Sequence, residues 1–144
     1  MAEHHLSLAV NGRESQLHTR LVTFETAVSG ITTGSVAIVG LGYVGLPTAV
    51  ELHGKSPQII GIDVSEQRLR DIASREADLT DADQERLAAA LADGSLQLTT
   101  DPAAAAAAEA VIICVPTPVD TNQTPDLTAL QAACDTVVRH AVRG

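Results

Sequence analysis

The sequence predicts an α/β chain, a doubly wound parallel sheet with helices on both faces, and three observations carry that expectation. Short apolar β-type runs alternate with helical patterns along most of the chain. The first run, Val36–Val39, breaks directly into Gly40-Leu41-Gly42-Tyr43-Val44-Gly45, a G-x-G-x-x-G turn. The second, Gln58–Ile62, ends in Asp63, 18 residues beyond Gly45. A strand, a glycine turn that opens a helix, and a carboxylate closing the next strand form the fingerprint of a Rossmann-type dinucleotide site.

Composition suits this architecture. Of the 144 residues 45% are hydrophobic but only 1% aromatic, so the core must be built from Val, Ile, Leu and Ala, as in a parallel sheet between small-residue helices. The formal charge of −9 argues against nucleic acid and anionic membrane as partners. No apolar run of about 18 residues and no signal peptide is apparent, which predicts a cytoplasmic protein. Cys114 and Cys134 lie in apolar segments without C-x-x-C spacing and are expected to be buried core thiols. The five histidines show no ligand spacing, and no metal site is expected.

Residues 1–34 are expected to be a partly ordered extension. Leu6–Val10 and Leu17–Phe24 lean towards strand around an Asn11-Gly12 turn, and a Ser/Thr/Gly stretch, Ser29–Ser35, follows as a linker. The domain proper spans 35–144. In the glycine turn, Gly40 lets the chain leave the strand sharply, Gly42 lets a pyrophosphate approach the backbone, and Gly45 lets the helix pack closely. That helix should point its free N–H groups and positive dipole end at the phosphates. Asp63 is placed to bind adenosine ribose hydroxyls; an Asp that merely caps the next helix is the competing reading. Ser65 should cap that helix, with Leu69 and Ile72 inward. Arg68 either reaches the ribose or a phosphate, or is an exposed helix charge.

A further helix begins at Thr80 or Asp81 and is stopped by Gly94. Leu96–Thr99 is a third strand, Asp101-Pro102 opens an alanine-dense turn, and Ala110–Val115 reads as a central strand buried on both faces. The fourth strand runs into Pro116-Thr117-Pro118. Ligands of doubly wound sheets lie outside the carboxyl ends of the strands where strand order reverses, so Thr117, in a loop held extended by Pro116 and Pro118, should lie near the site of Gly40–Gly45; a rigid loop with no ligand contact is the competing reading. A final helix from about Thr124-Pro125-Asp126 should bury Leu127, Leu130, Cys134, Val137, Val138 and Ala141. The sheet is thus expected to be truncated after the fourth strand and its following helix. That would leave strand four as an apolar edge open to homo-oligomer formation, or leave the last helix to fray.

Val36–Pro47 (V-A-I-V-G-L-G-Y-V-G-L-P), Ile59–Val64 (I-I-G-I-D-V) and Val111–Pro118 (V-I-I-C-V-P-T-P), with Pro125-Asp126-Leu127 after it, resemble the UDP-glucose/GDP-mannose dehydrogenases, the nucleotide-sugar dehydrogenases. Tyr43, Leu46 and Pro47 go beyond the generic fingerprint, and Pro47 is not a helix optimum, because it removes a bond to Tyr43. The resemblance covers residues 35–144. It implies NAD held by the loop Gly40, Leu41, Gly42, Tyr43, Val44 and Gly45, by Asp63 with Arg68, and by Pro116 and Thr117. The V-P-T-P loop with P-D-L is more similar to the branch acting on UDP-N-acetylhexosamines than to the UDP-glucose branch.

Members of that family are longer and carry their lysine, asparagine and nucleophilic cysteine in a later part that this sequence does not contain, so no catalytic residue is assigned. A UDP-sugar would be a substrate only if that part were supplied. Cys114 cannot replace the nucleophile from inside an apolar strand. Three functions stay open: the NAD-binding part of a nucleotide-sugar dehydrogenase, a non-catalytic NAD(H)-binding module, and a remnant acting as an interaction protein.

Overall fold

Strand β1 (Val36–Val39) carries the sheet, with Val36, Ala37 and Ile38 fully buried. In the computed structural model of the protein, which describes residues 34–140, β1 pairs in parallel with β2 (Ile59–Ile62) on one side and β4 (Ala110–Ile113) on the other. Beyond β2 lies β3 (Leu96–Thr99), also parallel, giving the order β3-β2-β1-β4. The order therefore reverses between β1 and β4, the point at which doubly wound sheets bind ligands outside the carboxyl ends of their strands. The expected hairpin in 6–24 lies outside the described residues.

Alternation along the strands divides the core in two. Val36, Ile38 and Ile59 face α1 (Gly45–Glu51), α2 (Glu66–Ala73) and α3 (Asp81–Ala92), whose Leu46, Ala49, Val50, Ile72, Leu87 and Ala90 complete the larger cluster. Ala37, Ile60 and Ile62 face a short 3-10 helix (Pro102–Ala107), whose Ala105 is buried against them. The final helix, α4 (Thr128–His140), packs beside that 3-10 helix and β4. Among the described residues no aromatic side chain enters either cluster, in keeping with the aliphatic composition.

The caps follow the sequence. Ser65 Oγ accepts from Arg68 N–H (3.1 Å), Thr80 Oγ1 from Asp83 N–H (3.2 Å), and Asp101 Oδ1 from Ala103 N–H (2.9 Å) at the start of the proline-led 3-10 helix. Gly94 follows α3 with φ 75°.

Three expectations need correction. Strand β4 stops at Ile113 and is only half-buried, because β1 alone pairs with it among the described strands. The last helix starts at Thr128, not near Thr124. Its lead-in folds as a tight loop, with Asp126 N–H donating to Pro118 O (2.7 Å) and Asp120 Oδ1 accepting from Asn122 and Thr124 N–H (both 2.8 Å). The cysteines are not core thiols: Cys114 is half-buried, and Cys134 is exposed on a helix with no fully buried residue.

Candidate functional site

The loop between β1 and α1 is shaped by contacts of two kinds. Gly40 has φ 92°, a conformation that side chains resist, and a Cβ there would stand 2.7 Å from Cys114 O at the end of β4. Gly45 is tighter, since a Cβ would lie 1.7 Å from Gly40 O. The loop thus closes on itself and on β4, and both glycines are explained by the chain's own packing. Gly42 is different. A Cβ at Gly42 meets nothing within 4 Å, and its φ is not in the positive range. Only something outside the described chain would use that space.

Around Gly42 the backbone offers donors. The N–H groups of Gly42, Tyr43, Val44 and Gly45 have no acceptor among the described residues, and no side chain caps α1. Leu46 and Thr48 N–H reach back to Gly42 O (3.2 Å) and Val44 O (3.1 Å). Between them the Tyr43 carbonyl lacks the donor that Pro47 cannot supply, in line with the sequence reading. Tyr43 and Val44 are 88% and 66% exposed, so they form an apolar rim rather than part of the core.

Asp63 stands at the end of β2 with both carboxylate oxygens engaged. Oδ2 accepts from Leu41 N–H (2.8 Å) and Oδ1 from Ser65 N–H (2.9 Å). An ionised carboxylate offers about four lone-pair sites, so acceptor capacity is left for two hydroxyls. Arg68 is half-buried and points back to the loop, with Nε donating to Leu41 O (2.8 Å). Leu41 itself is fully buried with both peptide groups taken. Ser65 is both the cap of α2 and a partner of Asp63, so the two readings of Asp63 are compatible.

Gly40–Gly45, Asp63 and Arg68 therefore converge at the carboxyl ends of β1 and β2. Pro116 and Thr117 are exposed, two and three residues beyond the Cys114 that touches Gly40; no hydrogen bond ties the Thr117 hydroxyl to the loop among the described residues. Burial pushes the Cys114 thiol above its usual range, which leaves it a poor nucleophile. One contributor was not singled out from the sequence. Gly61, inside β2, has Leu41 Cδ1 2.9 Å and Leu98 Cδ2 3.1 Å from where its Cβ would be. Its signal was a glycine interrupting an otherwise Ile-rich strand.

A parallel sheet with this order, a glycine loop after β1 and a carboxylate closing β2 define a dinucleotide-binding domain. The chain belongs to the UDP-glucose/GDP-mannose dehydrogenase family, whose NAD binding domain matches residues 34–144. It is 35% identical over 111 residues to an NDP-N-acetyl-D-galactosaminuronic acid dehydrogenase of Ralstonia nicotianae, covering 76% of this chain and 26% of that one. It is 40% identical over 108 residues to a UDP-N-acetyl-D-glucosamine 6-dehydrogenase of Salmonella typhi, covering 75% and 24%. Among solved structures, a UDP-D-ManNAc dehydrogenase from Pyrococcus horikoshii superposes with TM-score 0.70 at 32% identity, over 76% of this chain and 26% of the other. The chain spans about a quarter of the length of the curated relatives it matches. No helix among the described residues is long and apolar enough to cross a membrane.

Proposed function

We propose that this chain is the cofactor-binding part of a nucleotide-sugar dehydrogenase that oxidises the C6 alcohol of a UDP-sugar to the carboxylate with NAD. The observation that carries the reading is the space at Gly42 beside four backbone N–H groups that have no acceptor among the described residues. Backbone donors beside an unobstructed glycine suit the approach of a pyrophosphate. Gly42, Tyr43, Val44 and Gly45 would hold the pyrophosphate, and Asp63 the adenosine ribose. The terminal guanidinium nitrogens of Arg68, which have no acceptor among the described residues, would lie beside that ribose, and Thr117 with Pro116 would flank the site from β4. Bound there, NAD would supply the hydride acceptor, and the loop Gly42–Gly45 would orient it through its backbone N–H groups. The names of the relatives, N-acetylhexosamine enzymes among them, favour a UDP-N-acetylhexosamine as the sugar.

Calorimetric titration tests the reading. The chain should bind NAD in preference to NADP, because Asp63 would meet the 2′-phosphate with like charge. Asp63→Ala should weaken NAD binding and narrow the preference, since it removes the ribose acceptor and also the bond to Leu41 N–H. Equal or tighter binding of NADP by the intact chain would sink the assignment.

Taken alone, the 144-residue chain should form no NADH from UDP-sugars. The described residues offer no nucleophile paired with a base, and holding sugar C6 against the nicotinamide is the kind of positioning that contributes roughly 7–11 kcal/mol to such reactions. NADH formation by purified chain, followed by absorbance, would show that the active site has been misplaced.

A further inference from the structure

Leu41 is held from three directions. Its side chain is fully buried and occupies the space over Gly61, where a Cβ would be 2.9 Å from Leu41 Cδ1. Its N–H donates to Asp63 Oδ2 and its carbonyl accepts from Arg68 Nε, each at 2.8 Å. The residues that follow, Gly42 to Val44, make few bonds of their own: their N–H groups have no acceptor among the described residues, and Tyr43 is almost wholly exposed. Ordering a glycine-rich segment costs more conformational entropy than ordering any other. Whatever fixes Leu41 therefore decides how much of that cost falls on ligand binding.

The two partners of Leu41 come from one rigid turn. Asp63 Oδ1 accepts from Ser65 N–H, and Ser65 Oγ accepts from Arg68 N–H, so Asp63 and Arg68 are locked to each other through the cap of α2. An N–H···O bond from a guanidinium is charge-assisted and directional. We propose that Arg68 is a positioning residue for the phosphate loop, acting through the Leu41 carbonyl to hold Gly42–Gly45 in its ligand-ready shape before any ligand arrives. The ribose end and the phosphate end of the site are then one mechanical unit joined at the Leu41 peptide. The proposal rests on the reading of this loop as a dinucleotide site.

Two substitutions of nearly equal length separate the possibilities. Arg68→Gln places an amide nitrogen where the arginine has Nε, keeping the donor and losing the charge; Arg68→Met keeps the length and loses both. Gln and Met are good helix formers, so α2 should persist in each. Exchange of the bonded amides of the segment, Leu41 and Leu46, is measured on the ligand-free chain, and NAD affinity by calorimetry. The expected result is that Met speeds exchange while Gln leaves it close to wild type, and that Met weakens NAD by roughly three- to tenfold more than Gln does, the worth of one hydrogen bond. Equal loss of affinity in Gln and Met with unchanged exchange would overturn the proposal, because Arg68 would then act by direct charge contact. Faster exchange in both variants alike, or no change in either, would overturn it too. If the wild type fails to bind NAD, the functional reading falls, and the exchange arm still decides whether Arg68 holds the loop.

Discussion

Gly40, Gly42 and Gly45 share a motif but not a reason, and substitution should tell them apart. A methyl group at Gly45 would have to occupy the same space as the Gly40 carbonyl, 1.7 Å away, which is backbone and cannot turn aside. Gly45→Ala should therefore cost about 3 kcal/mol of stability or more. At Gly42 the added methyl meets nothing, so Gly42→Ala should leave stability within about 0.5 kcal/mol of wild type. It should nonetheless weaken NAD roughly tenfold or more by filling the pyrophosphate's approach. Thermal unfolding and titration of both variants check the contrast; equal destabilisation would mean that the loop is packed differently. The motif and Asp63 were legible in the sequence because their spacing is local. The Gly61–Leu41 contact and the Arg68–Leu41 bond were not, since both depend on which face of β2 meets the loop.

Among the elements, the helices with side-chain caps were read closely, because Ser65, Thr80 and Asp101 each precede a helical run with a free hydroxyl or carboxylate. The start of α4 was misread because Thr124-Pro125-Asp126 is equally good turn chemistry, and Asp120 uses it to close a loop. Along the exposed edge of the apolar contact between α1 and α3 runs a polar seam that no motif announces. Glu51 at the end of α1 pairs with Lys55 and with Arg86 of α3, and His53 Nε2 lies 2.8 Å from Asp93 Oδ2 at the end of α3. The hydrogen bond with His53, helped by Ser95, holds the Asp93 carboxyl at about 2 rather than 3.8. A depressed carboxyl stabilises the fold above its ordinary value, and that contribution is lost as pH falls through the depressed one. The stability gap between wild type and His53→Ala should therefore be open above pH 3.8 and close as pH approaches about 2. Urea midpoints across that window measure it; a gap that widens towards acid would contradict the assignment of the shift to His53.

At the scale of the whole molecule, the strand order was legible because the crossover pattern and the switch point follow from a few rules. The inequality of the two faces was not. The apolar stripe from Leu127 to Val138 has helical spacing and predicts burial, yet among the described elements α4 leans mainly on β4 and an alanine-rich 3-10 helix, whose small side chains reach little of it. Leu127 is 44% and Val138 75% exposed, and the smaller cluster holds four buried residues against thirteen on the other face. Stability should divide accordingly. Ile38, fully buried in the larger cluster, should cost about 2–5 kcal/mol when cut to alanine, because the sheet around it cannot collapse into the gap. Leu130→Ala on α4 removes the same number of carbons from a half-buried site and should cost less than about 1 kcal/mol. Hydrogen exchange should follow the same division, with amides of β1, β2 and α1 opening only on global unfolding and those of α4 opening locally first. Equal costs at Ile38 and Leu130, with α4 as protected as β1, would show that the thinner face is reinforced by parts of the chain outside 34–140.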